Sequence, residues 1–268
     1  MVQVGKRGRQ RQRKSIIFGT LILLVVIGIA AGAIYYQVTR TRPLDADSLC
    51  PADGPAGHYV LLLDTTDPLT FTQDKAFKVM LLDLVNTRIP EGYLFSVFAL
   101  GEDFKSTADP LIELCNPGSD KDQSQFTANL ERRKRQYQER FVGPLIKQSE
   151  ALMSTQSAKT SPIFEMLQLV GINAFRKHNI KGERRLVIVS DMLQNTDQFT
   201  MYKEIGDYPT FARTDYGRRT QPDLQGVQIE LHYLMNTPKL QTRRNLDFWE
   251  ALFNKAGARV VAVRPLEG

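Results

Sequence analysis

Cysteine is nearly missing from this sequence: its 268 residues hold only Cys50 and Cys115. Two thiols exclude a disulfide framework and leave room for one bridge at most, chemically allowed only outside the cytoplasm. Histidine is scarce too, and His58, His178 and His232 stand at no spacing that suits a metal site or a catalytic triad. His58 and His232 fall at or within apolar runs and are expected to be structural. No glycine-rich loop of the P-loop or dinucleotide type follows such a run, so nucleotide binding lacks support. Internal repeats are absent. Acidic residues are missing from the first 42 positions, which carry eight bases: Lys6, Arg7, Arg9, Arg11, Arg13, Lys14, Arg40 and Arg42. The other 27 Lys and Arg face all 29 Asp and Glu, so residues 43–268 sum to about −2. The net charge of +6 belongs to the tail and offers no nucleic-acid surface.

What is present begins with one long apolar run. Residues 16–36, IIFGTLILLVVIGIAAGAIYY, hold no charge. At about 1.5 Å per residue a helix of that length crosses a hydrocarbon core of about 30 Å. Tyr35 and Tyr36 lie where an interfacial aromatic belt belongs, and six bases precede the run. This bias predicts a signal-anchor with residues 1–15 as a cytoplasmic tail, placing the remainder in the periplasm or cell exterior. A cleaved signal peptide is the competing reading, because Ala31-Gly32-Ala33 has the A-x-A form, but the apolar stretch continues past it. Gly28-x-x-x-Gly32 would allow the helix to pair with another copy.

Residues 37–57 contain Pro43, Pro51, Gly54, Pro55 and Gly57 among polar residues and read as a linker. From residue 58 to the end, short apolar runs alternate with stretches of helical periodicity. Strands are expected at 58–63, 93–100, 111–115, 185–190, 227–234 and 259–263. Helices are expected at 72–87, 123–152 with a bend near Gly143-Pro144, 162–178 with Ser161 as N-cap, and 243–255. Near-continuous apolar strands separated by helices predict an α/β domain with a mostly parallel six-stranded sheet covered on both faces. Residues 192–225 are too long and too polar for an ordinary connection. Their aromatics, Phe199, Tyr202, Tyr208, Phe211 and Tyr216, read either as partner-binding hot spots or as side chains packed back onto the domain. Arg132, Arg133, Lys134, Arg135 and Arg140 read as a solvated helix face.

Two expected strands end in a carboxylate, at Asp64 and at Asp191, and Thr160-Ser161 opens a helix at the same edge of the sheet. Ligands of open α/β sheets bind beyond the carboxyl ends of the strands. Carboxylates and hydroxyls gathered there form an all-oxygen site suited to a hard cation: Mg²⁺, with Mn²⁺ or Ca²⁺ as alternatives.

At these residues the chain resembles the von Willebrand factor A, or integrin I, family over about residues 58–264. That family's metal-ion-dependent adhesion site reads Asp-x-Ser-x-Ser after the first strand, matched here by Asp64-Thr65-Thr66-Asp67-Pro68. Pro68 stands where the second Ser would be, and Asp67 could lend a carboxylate in its place. The family's Thr-Pro-Leu is matched by Ser161-Pro162-Ile163, with Thr160 as an auxiliary, and its Ser-Asp-Gly by Ser190-Asp191-Met192. The resemblance implies metal ligation by Asp64, Thr66, Ser161 and Asp191. It also implies protein binding without turnover, an acidic side chain of the partner completing the cation's shell.

Two other functions compete. A metal-independent scaffold of a membrane complex needs none of these ligands. A phosphatase-like hydrolase resembling the haloacid dehalogenase type would use Asp64 as nucleophile. That type needs a second Asp where Thr66 stands and a later acidic pair that nothing after Asp191 supplies.

Overall fold

The computed structural model describes residues 6–39, 44–118, 130–152, 157–203 and 206–266. The chain divides into two units, Met1–Pro43 and Leu44–Gly268. The first is one helix, α1 (Lys6–Thr39), whose Phe18–Tyr35 window has a mean hydropathy of 2.4. Among the described residues it is the one helix long and apolar enough to cross a membrane. Its apolar side chains are exposed, as lipid-facing ones would be.

The second unit is the α/β domain. Its strands are β1 (His58–Asp64), β2 (Leu94–Leu100), β3 (Ile112–Cys115), β4 (Arg184–Ser190), β5 (Gln228–Tyr233) and β6 (Arg259–Pro265). They form one sheet in the order β3-β2-β1-β4-β5-β6, parallel throughout except for the antiparallel pair β2–β3. β1 and β2 are buried along their whole length, as strands covered on both faces must be. The fold class expected from the sequence is the one observed.

On one face of the sheet α2 (Phe71–Asp83) packs with the segment formed by α3 (Leu130–Gln136) and α4 (Gly143–Leu152) over Leu61, Leu63, Phe95 and Val97. On the other, α5 (Ile163–Val170) and, further along the chain, α8 (Arg243–Lys255) cover Val60, Leu62, Ile188 and Leu231. Thr70 starts α2 with a capping box: its hydroxyl accepts from the Gln73 amide while Gln73 caps the Thr70 amide in return. Three helices relax into π-helical turns, at Leu84–Arg88, Tyr137–Val142 and Gly171–Arg176. The second is the bend expected near Gly143-Pro144. Pro144 has no amide hydrogen to continue the ladder, and the Gly143 amide reaches back five residues to the Gln138 carbonyl. Residues 123–129 of the helix expected at 123–152, and the side chains of Arg132 and Arg133, lie outside the described residues.

Two expectations need correction. Residues 44–57 are not free linker: Leu44 bridges Pro51, Leu49 is buried, and Cys50 is disulfide-bonded to Cys115 at the end of β3. Burying one leucine and closing one bridge outweigh the local breakers, Pro51, Gly54 and Pro55. Residues 192–225 are also more ordered than their polarity suggests. They contain α6 (Tyr208–Phe211) and α7 (Asp215–Arg219), capped by the side chains of Asp207 and Thr214.

Candidate functional site

Strand order reverses between β1 and β4: β2 and β3 build outward on one side, β5 and β6 on the other. Crossovers therefore leave that point in opposite directions and open a crevice at the carboxyl ends of β1 and β4. Asp64 is the last residue of β1, and Leu63 pairs with Val189, so Ser190 lies beside it on β4. One Asp64 carboxyl oxygen accepts hydrogen bonds from the Thr66 amide at 3.0 Å and the Thr66 hydroxyl at 2.6 Å. The other accepts from the Ser190 hydroxyl at 2.6 Å. Ser190 in turn accepts from the Met192 amide at 2.9 Å, and Asp191 accepts from the Leu193 amide at 2.9 Å.

Met192 has φ +56°, a left-handed conformation strained for a residue with a Cβ. It is held there because its carbonyl accepts from the Trp249 indole at 2.8 Å and from Asn245, while its side chain is fully buried. Gln241 donates to the Asp191 carbonyl. The turn after β4 is thus over-determined from α8 and the segment before it, which keeps Asp191 at the crevice.

The loop before α5 closes the site. The Ala158 amide donates to the Thr66 carbonyl at 2.7 Å, and Ser161 exchanges two backbone hydrogen bonds with Asn195. Ser161 does not serve as the expected N-cap. Pro162 occupies the cap position, and the first free amide of α5, that of Phe164, is taken by the Gln194 side chain at 2.9 Å. The Ser161 hydroxyl consequently has no hydrogen-bond partner although the residue is only 7% exposed. A buried hydroxyl left unpaired costs about 1–3 kcal/mol unless something else satisfies it.

Electrostatics set the same problem. Asp64 and Asp191 are both buried, and among the described residues neither makes an ion pair. Burial, followed by repulsion from Asp64, pushes the Asp191 carboxyl up to about 8. Burial raises Asp64 too, against the hydrogen bonds from Ser190 and Thr66. Asp67, half-buried, adds repulsion to both. The Tyr202 hydroxyl is pushed up to about 12 by burial and by the fields of Asp191, Asp67 and Asp64.

Asp64, Thr66, Ser190 and Asp191 therefore converge, and the loop that carries Ser161 is tied to the Thr66 carbonyl by the Ala158 amide. Thr160 is half-buried beside Ser161, and Pro68 is exposed with no donor to offer. Among the described residues no three carboxylate, histidine or cysteine groups gather closely enough to hold a metal, so Asp67 does not complete a tricarboxylate cage. What remains is two carboxylates and three hydroxyls. That donor set, with an orphaned buried hydroxyl and two buried acids, fits a hard divalent cation. Sequence reasoning missed Ser190 as a member and Gln194 as the group that frees Ser161. Ser190 had a signal, its place directly before Asp191.

For four of the aromatics of 192–225 the structure follows the second of the two readings, packing back onto the domain, and not the partner-binding one. Tyr208, Phe211 and Tyr216 are buried in the core with Phe164 and Phe248, and the half-buried Phe199 packs against the same cluster. Tyr202, 47% exposed, is the exception. His58 and His232 are buried as expected, bonded to Ser96 and Glu230 respectively.

No family model matches the chain, and no curated protein matches it in sequence. Solved structures are similar to it, three of them as follows. The VWA domain of SpRpn10 shares 12% identity at a TM-score of 0.41, covering 78% of this chain and 89% of that one. An aerotolerance-related membrane protein from Bacteroides fragilis, carrying multiple mutations to serine, shares 11% at 0.35, covering 78% and 90%. Proximal thread matrix protein 1 from the mussel byssus, with a zinc-occupied MIDAS motif, shares 10% at 0.36, covering 80% of this chain and 42% of that one. Residues 58–266 form a six-stranded, mostly parallel sheet with an aspartate at the carboxyl end of its first strand, the arrangement that the family resemblance implied.

Proposed function

We propose that this is a single-pass membrane protein, spanning with residues 16–36, that presents an adhesion-type cation site on the non-cytoplasmic side and binds protein partners through it. Asp64, Thr66, Ser161 and Asp191 would hold Mg²⁺ or Mn²⁺, with Ser190 bonded to Asp64 alongside. The cation would supply an electrophilic point able to take an acidic side chain of the partner.

The observation that carries this reading is an unpartnered buried hydroxyl, Ser161, together with two buried carboxylates that make no ion pair among the described residues. A divalent cation would remove all three penalties at once. Around it, Thr66 and Ser190 bind Asp64 and fix the direction of its carboxyl, and the strained turn at Met192 holds Asp191. Tyr202 would be the first side chain a partner meets.

The test is thermal unfolding of the full chain in detergent with and without Mn²⁺. A cation at about a hundredfold excess over its Kd should add about 2.7 kcal/mol of stability. The double variant Asp64→Ala, Asp191→Ala should fold and lose the shift. A wild-type melting curve unmoved by Mg²⁺ or Mn²⁺ would return the protein to the metal-independent scaffold reading.

A further inference from the structure

The sheet is less evenly covered at its β6 edge than elsewhere. α8 packs against β5 and β6 from the side of Ile229, Leu231 and Tyr233. The opposite side carries Glu230, His232, Ala262 and Arg264, which the register places in adjacent pairs, Glu230 with Ala262 and His232 with Arg264. α2 borders this side without closing it, and the Arg264 side chain stays 59% exposed. The space left between α2 and β6 is a cavity of about 570 Å³. Its walls are Ala76, Val79 and Met80 of α2 against Pro265 and Leu266, and His232 lines it as well.

The helix wall has an outward stripe. Phe71, Lys75, Val79 and Leu82 follow one another at helical spacing, with the Lys75 ammonium 4.3 Å from the centre of the Phe71 ring. Phe71 is 72% and Val79 68% exposed, values unusual for large apolar side chains with no neighbour to cover them. Arg88 is neutralised by its two-pronged pair with the buried Glu230, so the exposed charges of the groove are Lys75 and Arg264 against Asp83.

We infer that the groove between α2 and β6 seats an acidic amphipathic helix of a partner protein. A mostly parallel sheet requires a layer on both faces, and the element that supplies such a layer is a helix. The groove runs beside a helix whose exposed stripe has the spacing that receives another helix's apolar anchors. Its cations select a partner helix with carboxylates flanking those anchors. Neither Asp64 nor Asp191 lines this groove, and it requires no cation.

The probe is a fluorescent, stapled 18-residue helix with a leucine face and glutamates elsewhere, compared with its isomer bearing lysine for every glutamate. Both are titrated against the full chain in detergent containing EDTA. The glutamate helix should bind saturably and the lysine isomer at least tenfold more weakly. Val79→Asp, and separately Lys75→Glu with Arg264→Glu, should each weaken binding at least tenfold, while Asp191→Asn leaves it unchanged. These replaced side chains are exposed, and circular dichroism verifies folding. Equal binding of both helices, or failure of the glutamate helix to bind, would overturn the inference. So would a dimer of the chain, seen by sedimentation, that Val79→Asp dissolves, since the groove would then belong to a second copy.

Discussion

Asp191 shows at residue scale how the site departs from what stability alone would select. A carboxyl buried beside another carboxyl, with no ion pair among the described residues, is held against its preference for water. Asparagine keeps the shape and the acceptor for the Leu193 amide while removing the charge. Asp191→Asn is therefore expected to raise the melting temperature of the cation-free protein by a few degrees, read by calorimetry in EDTA. A fall would mean that the carboxylate is compensated by something other than a cation. Met192 points the same way. A left-handed conformation is costly for a residue with a Cβ, and here it is kept by Trp249, Asn245 and the buried methionine side chain. Ser161 completes the set, freed from capping duty by Gln194.

At the scale of elements, β5 is tied to the end of α2 by charge. Arg88, in the π-helical turn after α2, makes a two-pronged pair with Glu230 in the middle of β5, and His232 binds the same carboxylate at 2.8 Å. Burial alone would raise Glu230, but the hydrogen bonds from His232 and Arg88 win and hold it at about 2. A depressed carboxylate contributes stability above its unfolded value of about 4.5 and loses it as pH falls toward 2. Denaturant midpoints should therefore drop between pH 4.5 and 2. Arg88→Leu should destabilise by about 3 kcal/mol at pH 7, because it strips a buried charge of its main partner. Arg185 and Arg264, each nearly 4 Å from Glu230, soften the loss. An Arg88→Leu protein as stable as the parent would show that these two suffice.

The same scale shows what the sequence made legible. All six strands and the main helices follow from apolar periodicity and turn residues, with boundaries one or two positions adrift. Asp64 and Asp191 could be paired in advance because each ends a strand. What depends on contacts across distant segments stayed open in the sequence, whether the aromatics of 192–225 turn inward and whether a Cys50–Cys115 bridge ties residues 44–51 to β3, and the capping of α5 by Gln194 was concealed altogether. The polarity around Tyr208 and Tyr216 hid the fact that their rings meet Phe164 and Phe248, which come from other parts of the chain.

Over the whole molecule, two independent features bear on compartment. The N-terminal bases before the apolar run favour a cytoplasmic tail. The Cys50–Cys115 disulfide, joining the segment nearest the anchor to an edge strand, belongs in an oxidising space. Both agree with the proposed orientation. Replacing both cysteines by alanine should cost about 2–4 kcal/mol and expose residues 44–51 to protease. Thiols that label freely in intact cells without a reductant would contradict the proposed compartment.

The central claim is that a cation completes the site at the carboxyl ends of β1 and β4. Its most direct test is calorimetric titration of the full chain in detergent with Mg²⁺ and Mn²⁺, repeated on Ser161→Ala and Asp191→Asn. One saturable event per chain is predicted for the parent, weakened in Ser161→Ala and absent in Asp191→Asn. Heats that match dilution in the parent, or that persist unchanged in both variants, would contradict it.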